Sequence, residues 1–165
     1  MKKILYVLFP IILVSCNPFA PALDYSTSGN SGLSDLSNVE GVFQNFQYAY
    51  SLKDTIIYGE LLNQQFLFTY RDFDLGYDVS WGRDDEMKTT YGLFQNAQKL
   101  DLIWNNIVLS SSDSSNANIV RGFNLTITFN PTDVIRIDGR VNLTLKKDSK
   151  TNKWQIAGWL DETNL

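Results

Sequence analysis

The sequence predicts an α+β domain in which a strongly curved antiparallel sheet wraps around N-terminal helices. Apolar residues recur at helical spacing over residues 39–62 and again over residues 87–98. From residue 100 onward, apolar and polar residues alternate with a period of two, which is typical of strands with one solvated face. The apolar face of such a sheet needs cover, and the helices are the elements that can supply it.

Two helices are predicted at the start of the domain. The first is indicated by four apolar residues at positions i, i+4, i+7 and i+11, namely Val39, Phe43, Phe46 and Tyr50. Ser37 or Asn38 can cap its N-terminus, and the pair Lys53-Asp54 ends the pattern. A short second helix is predicted from Ile57, Leu61 and Leu62.

A hairpin and a third helix are predicted next. Alternating apolar residues over 66–70 predict a strand, and Val79 and Trp81 fit the returning arm of a hairpin. The three acids at 84–86 suit the N-terminus of a helix, where the helix dipole favours negative charge. The apolar stripe of this helix is predicted to consist of Met87, Tyr91, Phe94 and either Ala97 or Gln98.

Four strands complete the domain, and each is predicted from a set of residues that share one face. A polar hairpin loop is expected over residues 110–118, and turns are expected at 131–133 and 147–152. The inward-facing sets of the first three strands are Leu100, Leu102, Trp104, Ile107 and Leu109; Ile119, Phe123, Leu125, Ile127 and Phe129; and Ile135, Ile137, Val141, Leu143 and Leu145. In the last strand, Trp154 and Ile156 alternate against Ala157 and Trp159.

The N-terminus predicts a lipoprotein signal peptide. Two lysines precede the 11-residue apolar run Ile4–Val14, which matches a secretory signal, whereas a membrane-spanning anchor, the alternative, needs about 20 apolar residues. The sequence Leu13-Val14-Ser15-Cys16 resembles the lipobox of bacterial lipoproteins. That resemblance implies cleavage before Cys16, a diacylglyceryl group on its thiol, and a fatty acid such as palmitate on the new amino group. The alternative for Cys16 is a buried or free thiol.

The chain therefore divides into a lipoprotein signal peptide over 1–15, a lipidated flexible tether over 16–37, and a folded domain over 38–165. Pro, Gly and Ser are frequent in the tether. The alternative is a loop that packs on the domain, and Leu33 and Leu36 could dock in that way. The resemblance implies a membrane contact through the lipid on Cys16 in the bacterial cell envelope, and Asn17 rather than Asp after the cysteine favours the outer membrane over the inner one. Removing the leader leaves 12 basic and 18 acidic residues, a net charge of −6, which argues against nucleic acid as a partner.

The order of the predicted elements resembles the nuclear transport factor 2-like, or polyketide-cyclase-like, superfamily. The likeness rests on the first helix with its Lys53-Asp54 break, on Phe66-Leu67-Phe68, on Trp81 and Glu86 around the third helix, and on the ending Lys153–Trp159. It implies a cone-shaped, cystatin-like roll over residues 38–165. Members include isomerases, dehydratases and epoxide hydrolases that work in the cone between sheet and helices, and many members that only bind.

Composition restricts the chemistry of the domain. The absence of histidine removes the commonest general base and the commonest metal ligand, and the single cysteine excludes an internal disulfide. The first hypothesis is a non-enzymatic envelope lipoprotein, without a cofactor, that binds a small apolar ligand, a cell-wall component or an envelope protein. The side chains expected to contact a ligand are Tyr48, Tyr58, Phe68, Trp81 and Tyr91.

Two other functions are open. A hydro-lyase or isomerase would use a buried Asp and Tyr pair in the cone, because a carboxylate in an apolar cavity can act as an acid or a base. A structural or assembly partner would act through the polar outer face of the sheet, which in the superfamily often forms a homodimer. No pair of residues has the spacing of a known catalytic motif, so no catalytic role is assigned.

The acidic segment between the two arms of the predicted hairpin echoes a calcium-binding loop. Asp72, Asp74 and Asp78 stand at relative positions 1, 3 and 7. Tyr77 and Arg83, however, occupy the positions where such a loop needs Gly and Glu. A solvated acidic loop is the favoured interpretation, and no metal site is predicted.

Overall fold

The computed structural model describes residues 32–162, which form three helices and six strands. The elements in chain order are α1 (Val39–Leu52), α2 (Thr55–Leu61), β1 (Leu62–Asp72), β2 (Tyr77–Gly82), α3 (Arg83–Asn96), β3 (Lys99–Ser112), β4 (Asn116–Asn130), β5 (Asp133–Lys147) and β6 (Trp154–Asp161). The predicted order of two helices, a hairpin, a third helix and four strands is therefore confirmed.

All six strands belong to one curved sheet, in the order β2-β1-β6-β5-β4-β3. Every neighbouring pair is antiparallel except β1 and β6, which run parallel and join the N-terminal hairpin to the last strand. The predicted α+β cone, with helices from the N-terminal part of the chain against a curved sheet, is confirmed. The sheet leaves β3 at one edge and β2 at the other.

The boundaries of the first two helices follow from local hydrogen bonds. Asn38 caps α1 by accepting a hydrogen bond from the Gly41 amide on its side-chain oxygen. Lys53 ends α1 in the left-handed conformation, with φ 56°. Asp54 then caps α2 by accepting from the amides of Ile56 and Ile57, so the break seen in the sequence is a helix end followed at once by a helix start.

The core lies between the concave face of the sheet and the buried faces of α1 and α2. From the helices, Val42, Phe43, Phe46 and Ala49 are at most 2% exposed. The strands complete this layer with a set of almost fully buried residues, among them Leu100, Leu102, Ile119, Val141, Leu143, Leu145 and Ile156. Burial of this apolar area is the main source of stability for such a fold.

The segment just before α1 packs on the domain, although its composition places it in the tether. The Ser34 amide donates to the Asn45 side-chain oxygen at 2.7 Å, and the Asn45 amide group donates back to the Ser34 carbonyl at 2.9 Å. The Trp154 amide donates to the Leu36 carbonyl at 2.8 Å. Residues 34–36 are thereby joined to both α1 and β6.

The second half of β3 differs from its predicted pattern. Ile107 and Leu109 were expected to continue the buried face of Leu100 and Leu102, but they are 47% and 57% exposed. The pairing of β3 with β4 shifts between Trp104 and Ile107 and again before Leu109, and each irregularity breaks the alternation of faces. The predicted loop over 110–118 is also shorter, because the paired strands extend to Ser112 and resume at Asn116.

Two further predictions of side-chain direction are wrong. The prediction that Ile135 faces inward fails because this residue, near the β4–β5 turn, is 45% exposed. The alternation in the last strand predicts that Trp159 faces away from Trp154 and Ile156, but Trp159 packs against the core. The pairing of β5 with β6 shifts between Thr144 and Leu145, and this irregularity changes the side that the following residues face.

None of the helices within residues 32–162 is long and apolar enough to cross a membrane. The predicted signal peptide, the predicted lipid attachment at Cys16 and most of the predicted tether lie outside the described residues.

Candidate functional site

A cavity of about 230 Å³ lies inside the cone, between the concave face of the sheet and helices α1 and α3. Its lining is mostly aromatic and aliphatic, and side chains from both helices and from all six strands contribute to it. The lining residues are Phe46, Tyr50, Phe68, Trp81, Glu86, Thr89, Thr90, Leu93, Leu102, Trp104, Phe123, Leu125, Ile137, Val141, Trp159 and Asp161. A concave, mainly apolar cavity with a few polar groups is the usual form of a small-molecule site.

Glu86 is the polar centre of one wall of the cavity. It is only 4% exposed, yet it receives three hydrogen bonds from three different elements of the fold. Its Oε1 accepts from the Tyr58 hydroxyl at 2.6 Å and from the Thr90 hydroxyl at 3.0 Å, and its Oε2 accepts from the Trp81 indole N–H at 2.7 Å. These bonds offset the cost of burying a carboxylate and fix its orientation.

The path of the chain from β2 into α3 places Glu86 in this position. Gly82 is the N-cap of α3, and Glu86 lies in the first turn after it. Asp84 and Asp85 of the same turn are exposed, so only one of the three acids turns inward. Thr90 stands one helical turn after Glu86 and shares its face, and Trp81 is the next-to-last residue of the preceding strand.

Two buried tyrosines stand behind Glu86. Burial raises the pKa of Tyr58 well above its ordinary value, and the neighbouring Tyr50 and Glu86 raise it further. Burial, with the negative charge of Glu86, also raises the pKa of Tyr50. Both hydroxyls therefore keep their protons through the neutral range, and Tyr58 remains a hydrogen-bond donor to Glu86.

Stacked and edge-on rings form the wall next to Glu86. Phe68 and Trp81 stack, with ring centroids 4.3 Å apart and an interplanar angle of 16°. Trp159 meets Phe68 edge-on at 5.2 Å and Phe46 at 5.6 Å. Within the described part of the chain, the Trp159 indole nitrogen is buried and has no hydrogen-bond partner.

The far wall of the cavity is held by α1. The Trp104 indole N–H donates to the Phe43 carbonyl at 2.9 Å, and the Trp104 ring meets Phe46 edge-on at 5.5 Å. Phe123 lies beside Trp104, with ring centroids 6.3 Å apart. Asp161, the last residue of β6, provides a second carboxylate in the lining and is partly buried.

The five aromatic residues predicted to contact a ligand fall in three different places. Phe68 and Trp81 line the cavity. Tyr58 is fully buried and reaches the cavity only through its bond to Glu86. Tyr48 is 37% exposed and Tyr91 is 55% exposed, and both lie on the surface outside the lining. A contact of ligand with Phe68 and Trp81 stays a prediction.

The sequence pattern predicts a buried position for Tyr91, which is wrong. Two different rows of residues along α3 include Phe94, and the pattern favours the row that is not buried. The stripe with the more apolar residues runs from Met87 through Tyr91, and it was expected to face inward. The buried stripe instead runs through Glu86 and Thr90, whose polar atoms bond to each other and to neighbouring elements. Three consecutive acids predict the N-terminal turn of a helix, but their order in the sequence does not show which of them is buried.

Trp159 and Asp161 are two further lining residues that the sequence pattern does not identify. The irregularity in β6 moves Trp159 to the concave side of the sheet. Such a one-residue irregularity cannot be recognised from an alternation of apolar and polar residues in the sequence. The parallel pairing of β1 with β6 brings Asp161 opposite Tyr70. Such a pairing of distant segments cannot be inferred from local periodicity.

The acidic segment 72–78 forms the turn of the β1–β2 hairpin. The Asp72 side chain accepts a hydrogen bond from the Leu75 amide at 2.8 Å, and Asp78 pairs with Arg71 at 3.0 Å. Within residues 32–162, no group of three or more carboxylate, thiol or imidazole side chains is placed to hold a metal ion.

Comparison with solved structures identifies this fold as that of nuclear transport factor 2-like proteins. The chain is similar to a protein of Novosphingobium aromaticivorans described as a putative scytalone dehydratase, at TM-score 0.66 and 15% identity over 77% of this chain and 82% of that one. It is also similar to a putative dehydratase of the NTF2-like family from Streptomyces avermitilis, at TM-score 0.62 and 11% identity over 79% and 97% of the two chains.

A third structure with the same fold is an NTF2-like protein of unknown function in nutrient uptake from Rhodospirillum rubrum. Its TM-score is 0.62 and its identity 11%, over 78% of this chain and 99% of that one. No protein-family model and no curated protein sequence matches this chain. At these identities the likeness shows the fold alone, because one fold hosts many activities.

Proposed function

We propose that the domain binds a small, largely apolar ligand in the cavity of the cone. The observation that carries this proposal is a preformed cavity whose apolar wall is interrupted by a fixed carboxylate, Glu86. A cavity of about 230 Å³ is smaller than the roughly 300 Å³ at which small-molecule sites usually begin. The ligand is accordingly smaller than a typical drug molecule.

Calorimetric titration of the full chain with a compact neutral alcohol, 3,3-dimethylbutan-1-ol, tests this proposal. Leu125→Phe adds volume inside the lining, so we expect it to weaken binding about tenfold or more. Leu160→Phe, the same change at a residue that is 42% exposed and outside the lining, is the matched control. Equal binding by both variants, or no binding by the unmodified chain, would refute a site in the cone.

We further propose that the protein is anchored in the bacterial envelope by lipid on Cys16, with the outer membrane favoured. This proposal is supported by the lipobox-like sequence Leu13–Cys16 and by the apolar run before it. Cells fed a fatty-acid analogue should label the unmodified protein and not Cys16→Ala. Ser26→Ala, in the predicted tether, should label normally, and equal labelling of Cys16→Ala would reject the anchor.

A second candidate function is that of a hydro-lyase or isomerase, and the pairing of Glu86 with Tyr58 favours it. In a dehydration, Glu86 would remove a proton from a carbon atom of the substrate and then donate that proton to the departing hydroxyl group, which leaves as water. In an isomerisation, it would return the proton to another carbon of the same molecule. Two of the proteins with the same fold are described as putative dehydratases.

Mass spectrometry separates this second candidate from simple binding. Small hydroxy and keto compounds are incubated with the full chain, and each is followed for loss of water or conversion to an isomer. Turnover by the unmodified chain that Glu86→Gln abolishes and Asp85→Asn retains would support an enzyme. Binding without turnover would leave the ligand-binding function and reject the enzymatic one.

A further inference from the structure

We propose that the connection between β5 and β6 binds anionic lipid head groups at a membrane surface. This connection, the lysine loop, spans residues 146–153 and contains Lys146, Lys147, Lys150 and Lys153. It is separate from the ligand site proposed in the cone, since none of its residues lines that cavity. Its charge, its position beside the tether and the distribution of charge along the sheet support this role.

Positive charge is concentrated in the lysine loop, although the chain as a whole is acidic. Four of the 12 basic residues that remain after removal of the predicted leader lie in these eight positions. Lys146, Lys150 and Lys153 are exposed, whereas Lys147 is partly buried and lies over the Trp154 ring at 5.6 Å. Each lysine close to an anionic membrane strengthens binding about fivefold, so a cluster of this size is enough to favour anionic head groups.

The acids near the lysine loop do not neutralise it. Within residues 32–162, none of the four lysines forms an ion pair with a carboxylate. Asp35, Asp113 and Asp148, the acids in and beside the loop, each accept a hydrogen bond from a backbone amide of their own turn. Four lysines against these three acids leave this end of the sheet with a net positive charge.

The tether joins the domain beside the lysine loop. The Leu36 carbonyl accepts a hydrogen bond from the amide of Trp154, the residue that follows Lys153, and Leu36 and Lys153 line one surface groove. Cys16, the predicted site of the lipid, lies about 20 residues before Leu36, and a flexible tether of that length spans roughly 25 Å. A lipid at Cys16 would therefore keep the lysine loop within reach of the head groups.

The opposite end of the sheet is acidic. β6 runs away from the lysine loop, and its last residues pair in parallel with the end of β1. The β1–β2 hairpin end carries Asp72, Asp74 and Asp78 against the single base Arg71. The length of β6, roughly 25 Å, separates it from the lysine loop. An anionic membrane therefore attracts one end of the domain and repels the other.

Co-sedimentation of the full chain with lipid vesicles tests this membrane contact. Cys16→Ala is present in every sample, so that lipid at this residue makes no contribution, and the predicted leader is the same in all variants. Vesicles of phosphatidylcholine alone are compared with vesicles of equal parts of phosphatidylcholine and phosphatidylglycerol. We expect a preference for the anionic vesicles that is lost in concentrated salt, because salt screens the attraction.

Two double variants locate the contact. Lys150→Gln combined with Lys153→Gln should lower the partition coefficient on anionic vesicles about tenfold or more, since each lysine near the surface contributes about fivefold. The matched control combines Lys88→Gln with Lys99→Gln, which removes the same charge from two exposed lysines outside the loop. The control should change the partition coefficient by no more than about twofold, because charges far from the surface are screened.

A fluorophore attached to the full chain reports which end of the domain approaches the membrane. One attached at Ser149→Cys, in the lysine loop, should transfer energy to acceptor lipids in anionic vesicles efficiently. One attached at Leu75→Cys, which is exposed in the β1–β2 turn, should transfer less, because the acidic end is held away from the surface.

Three results would each overturn the lysine loop as a membrane contact. They are equal binding to the two kinds of vesicle, equal losses in the two double variants, and energy transfer from Leu75→Cys that equals or exceeds that from Ser149→Cys. None of them bears on the ligand in the cone, and fatty-acid labelling at Cys16 tests the anchor separately.

Discussion

The arrangement around Glu86 shows how single residues set the chemistry of the cone. One carboxylate receives hydrogen bonds from β2, from α2 and from its own helix. Removing a partner from such a buried network costs more than the bond itself contributes, because the remaining polar groups stay buried without a replacement. The side chains that hold Glu86 are therefore expected to matter for stability and for ligand preference alike.

Glu86→Gln should lower the free energy of unfolding by about 1–3 kcal/mol, as expected when a buried hydrogen-bonded charge is lost. The new amide group is a donor placed among donors, including the Trp81 indole N–H. Urea unfolding followed by tryptophan fluorescence measures the change. Asp85→Asn, on an exposed neighbour, should shift the value by no more than about 0.5 kcal/mol, and equal effects of the two would contradict the buried network.

Alkaline pH should destabilise the domain through Tyr50 and Tyr58. Their pKa values are raised in the folded state above the ordinary value of 10.0, so the folded chain holds protons that the unfolded chain releases. The stabilisation is complete below about pH 10 and is lost as pH rises, by about 1.4 kcal/mol per pH unit for each tyrosine.

Unfolding measured from pH 8 to 11 checks this dependence on pH. Tyr50→Phe and Tyr58→Phe, combined in one variant, should flatten the decline above about pH 10. Tyr91→Phe, at an exposed tyrosine, should leave it unchanged. A decline of the same slope in all three proteins would show that neither buried tyrosine is responsible.

At the scale of elements, the fold depends on how α1 and α3 close the two sides of the cone. Helical spacing in the sequence predicted both helices, and α1 buries the predicted face. The rotation of α3 was not predictable, because its buried face is polar and its more apolar stripe is partly exposed. Hydrophobic periodicity identifies a buried face only where apolar contacts alone determine it.

Two glycines give a matched test of these helices. A Cβ at Gly41 of α1 would lie 1.9 Å from the Asp35 carbonyl oxygen, while a Cβ at Gly92 of α3 would meet nothing within 4 Å. Gly41→Ala should therefore destabilise the domain by about 1–3 kcal/mol. Gly92→Ala should stabilise it by about 0.5–1 kcal/mol, because alanine favours helix over glycine.

Thermal unfolding measures both changes. Opposite signs are expected for the two glycines, and a stabilised Gly41→Ala variant would contradict the close packing of the segment before α1.

At the scale of the whole molecule, a curved sheet and three helices enclose a cavity that is both aromatic and acidic. The period-two alternation predicts the sheet, and the helical spacing predicts the helices that cover its apolar face. These patterns were not enough to predict the cavity, which depends on the irregular pairing before Trp159 and on the parallel contact of β6 with β1.

Nuclear magnetic resonance of the tryptophan indole N–H groups tests the site in the cone most directly. Of the four tryptophans, Trp81, Trp104 and Trp159 line the cavity, whereas Trp154 is buried outside it and serves as an internal control. Titration of the full chain with 3,3-dimethylbutan-1-ol should shift the first three indole signals and leave that of Trp154 unchanged. A shift of Trp154 alone, or no shift in any signal at a high concentration of the alcohol, would contradict a ligand site in the cone.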